Sequence, residues 1–176
     1  MKTTCVHQLA AFLIVGVIVF SGCARPVSLK LDGADTILYG FGGGESGADY
    51  VEMTITGDGL VAYSYFHSYW PTHRYQTIQR IKQLPPDETK RLFQRLVNAG
   101  LFRLQGLFPR GPDIPGAWLK AEIDGRTTSV TADYHALRLH GGWEKIVSIL
   151  APLVQEMRRP EEPEWLFPPS DEPRRQ

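Results

Sequence analysis

Cysteine is scarce in this chain. There are two, Cys5 and Cys23, both close to the start. Residues 24–176 hold no thiol, which excludes from them a disulfide scaffold, a cysteine nucleophile and cysteine-ligated zinc. Their fold must rest on an apolar core. An excess of one charge is missing too, since 19 Lys and Arg balance 19 Asp and Glu. That balance offers no electrostatic case for nucleic acid or for an anionic membrane surface. A bilayer-length apolar run is also lacking. The run Leu9–Phe20 has twelve residues; as a helix it would rise about 18 Å, against roughly 30 Å of bilayer hydrocarbon. A permanent transmembrane helix is the weaker reading of it.

What stands around that run is more specific. Met1–Gln8 carries Lys2 as its only fixed charge, and Ser21 and Gly22 are small, as a signal-peptidase pocket requires near the scissile bond. Phe20-Ser21-Gly22-Cys23 resembles the lipobox of bacterial lipoproteins, a large apolar residue, two small ones and a cysteine, with Phe20 where leucine is commonest. The resemblance implies that Cys23 receives a thioether-linked diacylglycerol, is released by signal peptidase II and is then N-acylated, palmitate being the usual kind of chain. Ala24 in place of aspartate implies the outer membrane, facing the periplasm, over inner-membrane retention. Each buried methylene is worth about 0.8 kcal/mol, so two or three acyl chains hold firmly where one does not. The expected division is a signal peptide over 1–22, the lipidated cysteine and tether over 23–35, one domain over 36–158, and a proline-rich disordered tail over 159–176. An ordinary secreted protein and an uncleaved anchor are the alternatives.

Along the domain, Thr36–Phe41 reads as a first strand, before the glycine-rich 42–47. Val51, Met53 and Ile55 alternate with Glu52, Thr54 and Thr56, as a half-buried strand requires. Gly57-Asp58-Gly59 supplies a turn into a strand from Leu60 to His67, and Arg74–Lys82 suits an edge strand. Pro85-Pro86-Asp87-Glu88 opens a helix whose stripe is Leu92, Phe93, Leu96 and Val97, with Gly100 as its left-handed stop. Residues 107–116 read as a loop. Trp118–Ile123, Asp124-Gly125 and Arg126–Ala132 form a hairpin with a strong type I′ signal. A second amphipathic helix starts near Gly142, and Pro152 inside it removes a backbone bond to Ser148, so a kink is expected. Short strand joins favour hairpins. The expected fold is α+β: an antiparallel sheet of hairpins with two helices packed on one face. The stretch from Asp49 to Met157 is similar to small uncharacterised domains of exported bacterial lipoproteins, a likeness that implies no activity and no residue roles.

Candidate chemistry is thin. Gly42-x-Gly44-x-x-Gly47 spells a dinucleotide loop, but a strand follows it instead of the helix that would receive a pyrophosphate. Ser46 is no nucleophile elbow, because Ala48 stands where a glycine is needed. His67, His73, His135, His140 and Asp133 flank two loops, and would hold zinc or copper only if both loops met. Asp133, Tyr134 and His135 offer acid–base groups without distinctive spacing. Tyr63, Tyr65, Tyr69 and Trp70, in the densest aromatic segment, are the candidate binding surface. The leading expectation is a non-enzymatic, lipid-anchored cell-envelope protein, with no cofactor, that binds a protein or envelope component. The alternative is a small-ligand or metal-binding lipoprotein using the aromatic segment and loop histidines; an envelope hydrolase ranks third.

Overall fold

The computed structural model describes residues 29–43, 49–69, 74–104, 106–107, 116–133, 140–159 and 162. Cys23, Ser46, Trp70, His73, Tyr134 and His135 lie outside these residues. Among the described residues seven strands form one sheet: β1 (Thr36–Gly42), β2 (Tyr50–Thr56), β3 (Leu60–Tyr69), β4 (Arg74–Gln83), β5 (Gly106–Leu107), β6 (Gly116–Ile123) and β7 (Arg126–Asp133). Their spatial order is β4-β3-β2-β1-β6-β7-β5. Every pairing is antiparallel except the short parallel contact of β5 with β7. Position 107 falls within the expected loop, since a two-residue strand has no period to read. The edge position of β4 agrees with its weak alternation.

Alternation dictates the two faces. On one face Ile37 lies between Ile55 and Ala121, Tyr39 between Met53 and Leu119, and Phe41 between Val51 and Ala117. All nine side chains are buried. Two helices cover this face. α1 (Pro86–Asn98) buries Thr89, Phe93 and Leu96, with Asp87 and Glu88 at its positive end, and Gly100 follows at φ +95°. α2 (Gly141–Met157) buries Trp143, Ile146, Val147, Leu150, Leu153, Val154 and Met157, and its helical assignment continues through Pro152, which is exposed. The Trp143 ring meets Tyr39 of β1 at 6.1 Å. At the other end Arg80 of β4 donates to the carbonyls of Met157 (2.8 Å) and Arg158 (3.0 Å), a cation set at a helix C-terminus. Lys82 meets Glu156 at 2.5 Å. Tyr39, Met53, Tyr63 and Arg80 occupy one cross-strand row, so α2 spans the strands from β1 to β4.

The sheet has two unlike ends. At one, Asp124 (φ +50°) and Gly125 (φ +71°) form the tight turn that their sequence spells, beside the turn at Gly57–Gly59. The chain enters here. Asp35 accepts from Asp124 N–H through Oδ1 (2.7 Å) and from Asp32 N–H through Oδ2 (2.7 Å), and its carbonyl accepts from Gly57 N–H. At the opposite end lie the residues flanking all four longer connections, 44–48, 70–73, 108–115 and 134–139. We call these the turn end and the loop end.

Packing runs past the expected domain boundaries at both sides. Leu29 is buried in the core and Leu31 packs against it. Beyond α2, Glu162 is 2% exposed, so position 162 belongs to the packed domain and not to a free tail.

Candidate functional site

The core face decides the fate of two expected binding residues. Tyr63 and Tyr65 do share a strand face, but it is the buried one, at 1% and 6% exposure. Neither can form part of an exposed aromatic surface. The Tyr63 hydroxyl donates to Glu162 Oε2 at 2.5 Å. Burial, then this bond, push its pKa well above the usual phenol range. Tyr69 ends β3 opposite Arg74. Trp70 and Cys23, the remaining named residues, lie outside the described part of the chain.

Tyr65 belongs to a polar cluster at the loop end. Its hydroxyl donates to Asp49 Oδ2 at 2.8 Å, while His67 Nδ1 lies 2.6 Å from Asp49 Oδ1. The Tyr65 hydroxyl is 3.3 Å from the same imidazole nitrogen. Asp49 is 8% exposed, and these two partners offset the cost of burying its carboxyl. A carboxylate on one ring nitrogen fixes the imidazole's orientation, the arrangement used to prepare a histidine for proton transfer or ligand contact. Asp49 was not foreseen, because it precedes its strand and shows no pattern with residues sixteen and eighteen positions on.

His67 on β3 and Asp133 on β7 both lie towards the loop end, yet their strands are far apart. Between β3, which carries His67, and β7, which ends at Asp133, stand β2, β1 and β6. Four strand spacings amount to roughly 19 Å. His67 and Asp133 therefore cannot ligate one ion. Among the described residues no three His, Cys, Asp or Glu side chains gather into a metal site. Among the same residues no helix is long and apolar enough to cross a membrane.

The second sheet face carries neither helix, and register lays out its side chains. One row reads Ser64, Glu52, Gly40, Trp118 and Thr131; the next reads Phe66, Tyr50, Gly42, Gly116 and Asp133. Tyr50 and Phe66 stack with centroids 4.2 Å apart, and Trp118 meets Tyr50 at 6.0 Å with the planes inclined at 61°. The Trp118 indole lies over Gly40, where a Cβ would come within 2.0 Å of Cε2. Glycine is what allows the ring to rest on the strand. All three aromatics are half-buried. Partial burial, then the charge of Glu52, raise the Tyr50 pKa. A phenol beside a carboxylate stays a neutral donor. The signal for this patch was present: Tyr50, Phe66 and Trp118 sit at the polar phase of their strands.

A cleft of about 410 Å³ opens between the helices, with Leu84, Leu92, Ile149 and Leu153 in its wall and Arg91 and Arg95 among its charged lining. The class this geometry defines is an α+β domain with one sheet face covered by helices and one, among the described residues, free of them. No known protein family matches the sequence, and no curated protein matches it either.

Proposed function

We propose that this is a lipid-anchored cell-envelope protein, non-enzymatic, whose domain binds an envelope component or protein partner through its helix-free sheet face. The observation that carries the anchor is Phe20-Ser21-Gly22-Cys23 at the end of a twelve-residue apolar run. Five residues, and so six Cα-to-Cα steps, separate Cys23 from Leu29, which already packs in the core. That tether spans at most about 21 Å. A lipid on Cys23 would therefore hold the domain close to the outer membrane, and from Leu29 the chain runs through Asp32 and Asp35 at the turn end into β1.

The test is metabolic labelling of cells producing the full chain, using an alkyne-bearing palmitate. Wild-type protein should be labelled, sediment with membranes and begin at Cys23; Cys23→Ala should lose label and membrane association. Unprocessed, unlabelled polypeptide in the cytosol would sink the reading.

The Asp49–His67 pair favours a second reading, a small-ligand or metal-binding lipoprotein. Metal analysis of the purified full chain removes its metal form if no stoichiometric zinc or copper is found.

A further inference from the structure

We propose that Trp118, laid across Gly40 beside the Tyr50–Phe66 stack, is the platform of a saccharide-binding site, and that its ligand is a glycan chain. The inference deepens the binding-module reading and rests on it.

A pyranose presents two chemistries at once: flat C–H faces that pack on aromatic rings, and a rim of hydroxyls that both donate and accept. The patch supplies both. Trp118 meets Tyr50 at 61°, so the two rings make a corner and not a parallel slot. The Tyr50–Phe66 stack braces the standing side of that corner. Half-burial leaves part of each ring uncovered, while the Gly40 contact fixes the indole in place. A ligand meeting such a preset surface orders little on binding.

The polar groups around the platform follow from register. Glu52 lies across β1 from Trp118, opposite Gly40, and Thr131 faces Trp118 directly from β7. Lys120 follows two residues along the same face of β6, and Ser64 flanks Glu52 from β3. Carboxylate, ammonium, two hydroxyls and the Tyr50 phenol thus surround the rings. This set donates and accepts in all directions, as sugar hydroxyls demand. Other ligand classes fit less well. A phosphate backbone would meet Glu52 and Glu122, with Lys120 as the one nearby cation of this face among the described residues. An acyl chain would leave these charges facing hydrocarbon.

The experiment is calorimetric titration of the full-length lipidated protein, in a detergent that carries no sugar, with tetrasaccharides of N-acetylglucosamine, glucose and mannose. At least one should bind saturably, and Trp118→Ala should weaken it about tenfold or more. Because Trp118→Ala also uncovers Gly40, Glu52→Gln serves as the second variant; it should weaken binding severalfold at an unchanged thermal midpoint. No saturable binding of any tetrasaccharide at about 10 mM overturns the inference. So does binding that both variants leave intact. A whole-cell crosslink to a protein, lost in Trp118→Ala without any sugar binding, overturns the glycan inference but keeps the binding-module reading. Sugar binding by a chain that takes up no palmitate keeps the glycan site and overturns the anchor.

Discussion

Tyr63→Phe tests the tertiary arrangement at its least expected point, a contact between residues ninety-nine positions apart. The substitution removes one oxygen from a core position without changing its shape. It strips Glu162 Oε2 of its donor, while Oε1 is already buried without a hydrogen-bond partner among the described residues. Hydrogen bonds to charged groups contribute about 1.5–3 kcal/mol, and an orphaned buried acceptor keeps its full desolvation cost. A loss of about 2–3 kcal/mol follows, near 10 °C in midpoint for a domain of this size. Circular dichroism melts of the full chain in detergent measure it. Tyr63→Phe/Glu162→Leu removes both partners, so it should recover part of the loss, with a coupling energy of about 1 kcal/mol or more. A Tyr63→Phe midpoint within about 2 °C of wild type, or strictly additive single and double variants, would refute the buried pair.

The same phenol gives a spectroscopic expectation. Its folded pKa lies above the unfolded value, so its stability contribution is complete below about pH 10 and is lost as pH rises further. Ultraviolet titration should find Tyr63 among the tyrosines that stay un-ionised until alkaline unfolding, and Tyr63→Phe should lower the number of such tyrosines by one. Gly59→Ala combines a φ of +93° with a Cβ 2.6 Å from the Leu84 carbonyl, and should cost about 2 kcal/mol or more in a denaturant melt. Gly125→Ala meets nothing within 4 Å at φ +71°, so only the left-handed cost of about 1 kcal/mol is expected. Equal losses for the two would contradict the close approach at Gly59.

Much of the fold was legible because its signals are local. Val51, Met53 and Ile55 announce a half-buried strand through period two, Asp124-Gly125 announces its own turn through backbone φ, and Pro86 with Gly100 bracket a helix. The candidate sites were less legible, since they depend on which residues meet. Tyr63 and Tyr65 read as a shared face correctly, but whether that face meets helices or solvent is decided by where α1 and α2 dock. Asp49 joins His67 only through the β2–β3 register, and Trp118 rests on Gly40 only because β6 returns beside β1.

The sequence by itself determined the longer strands, the tight turns, the approximate helix limits and the expectation of a lipid on Cys23, because backbone propensity, side-chain period and a short recognition motif act within a few residues. Only the tertiary structure decided which tyrosines are core, that Glu162 is held beneath the sheet, and that three aromatics gather on its helix-free face. Those outcomes depend on contacts between distant segments, where the burial of one residue is set by the identity and direction of another.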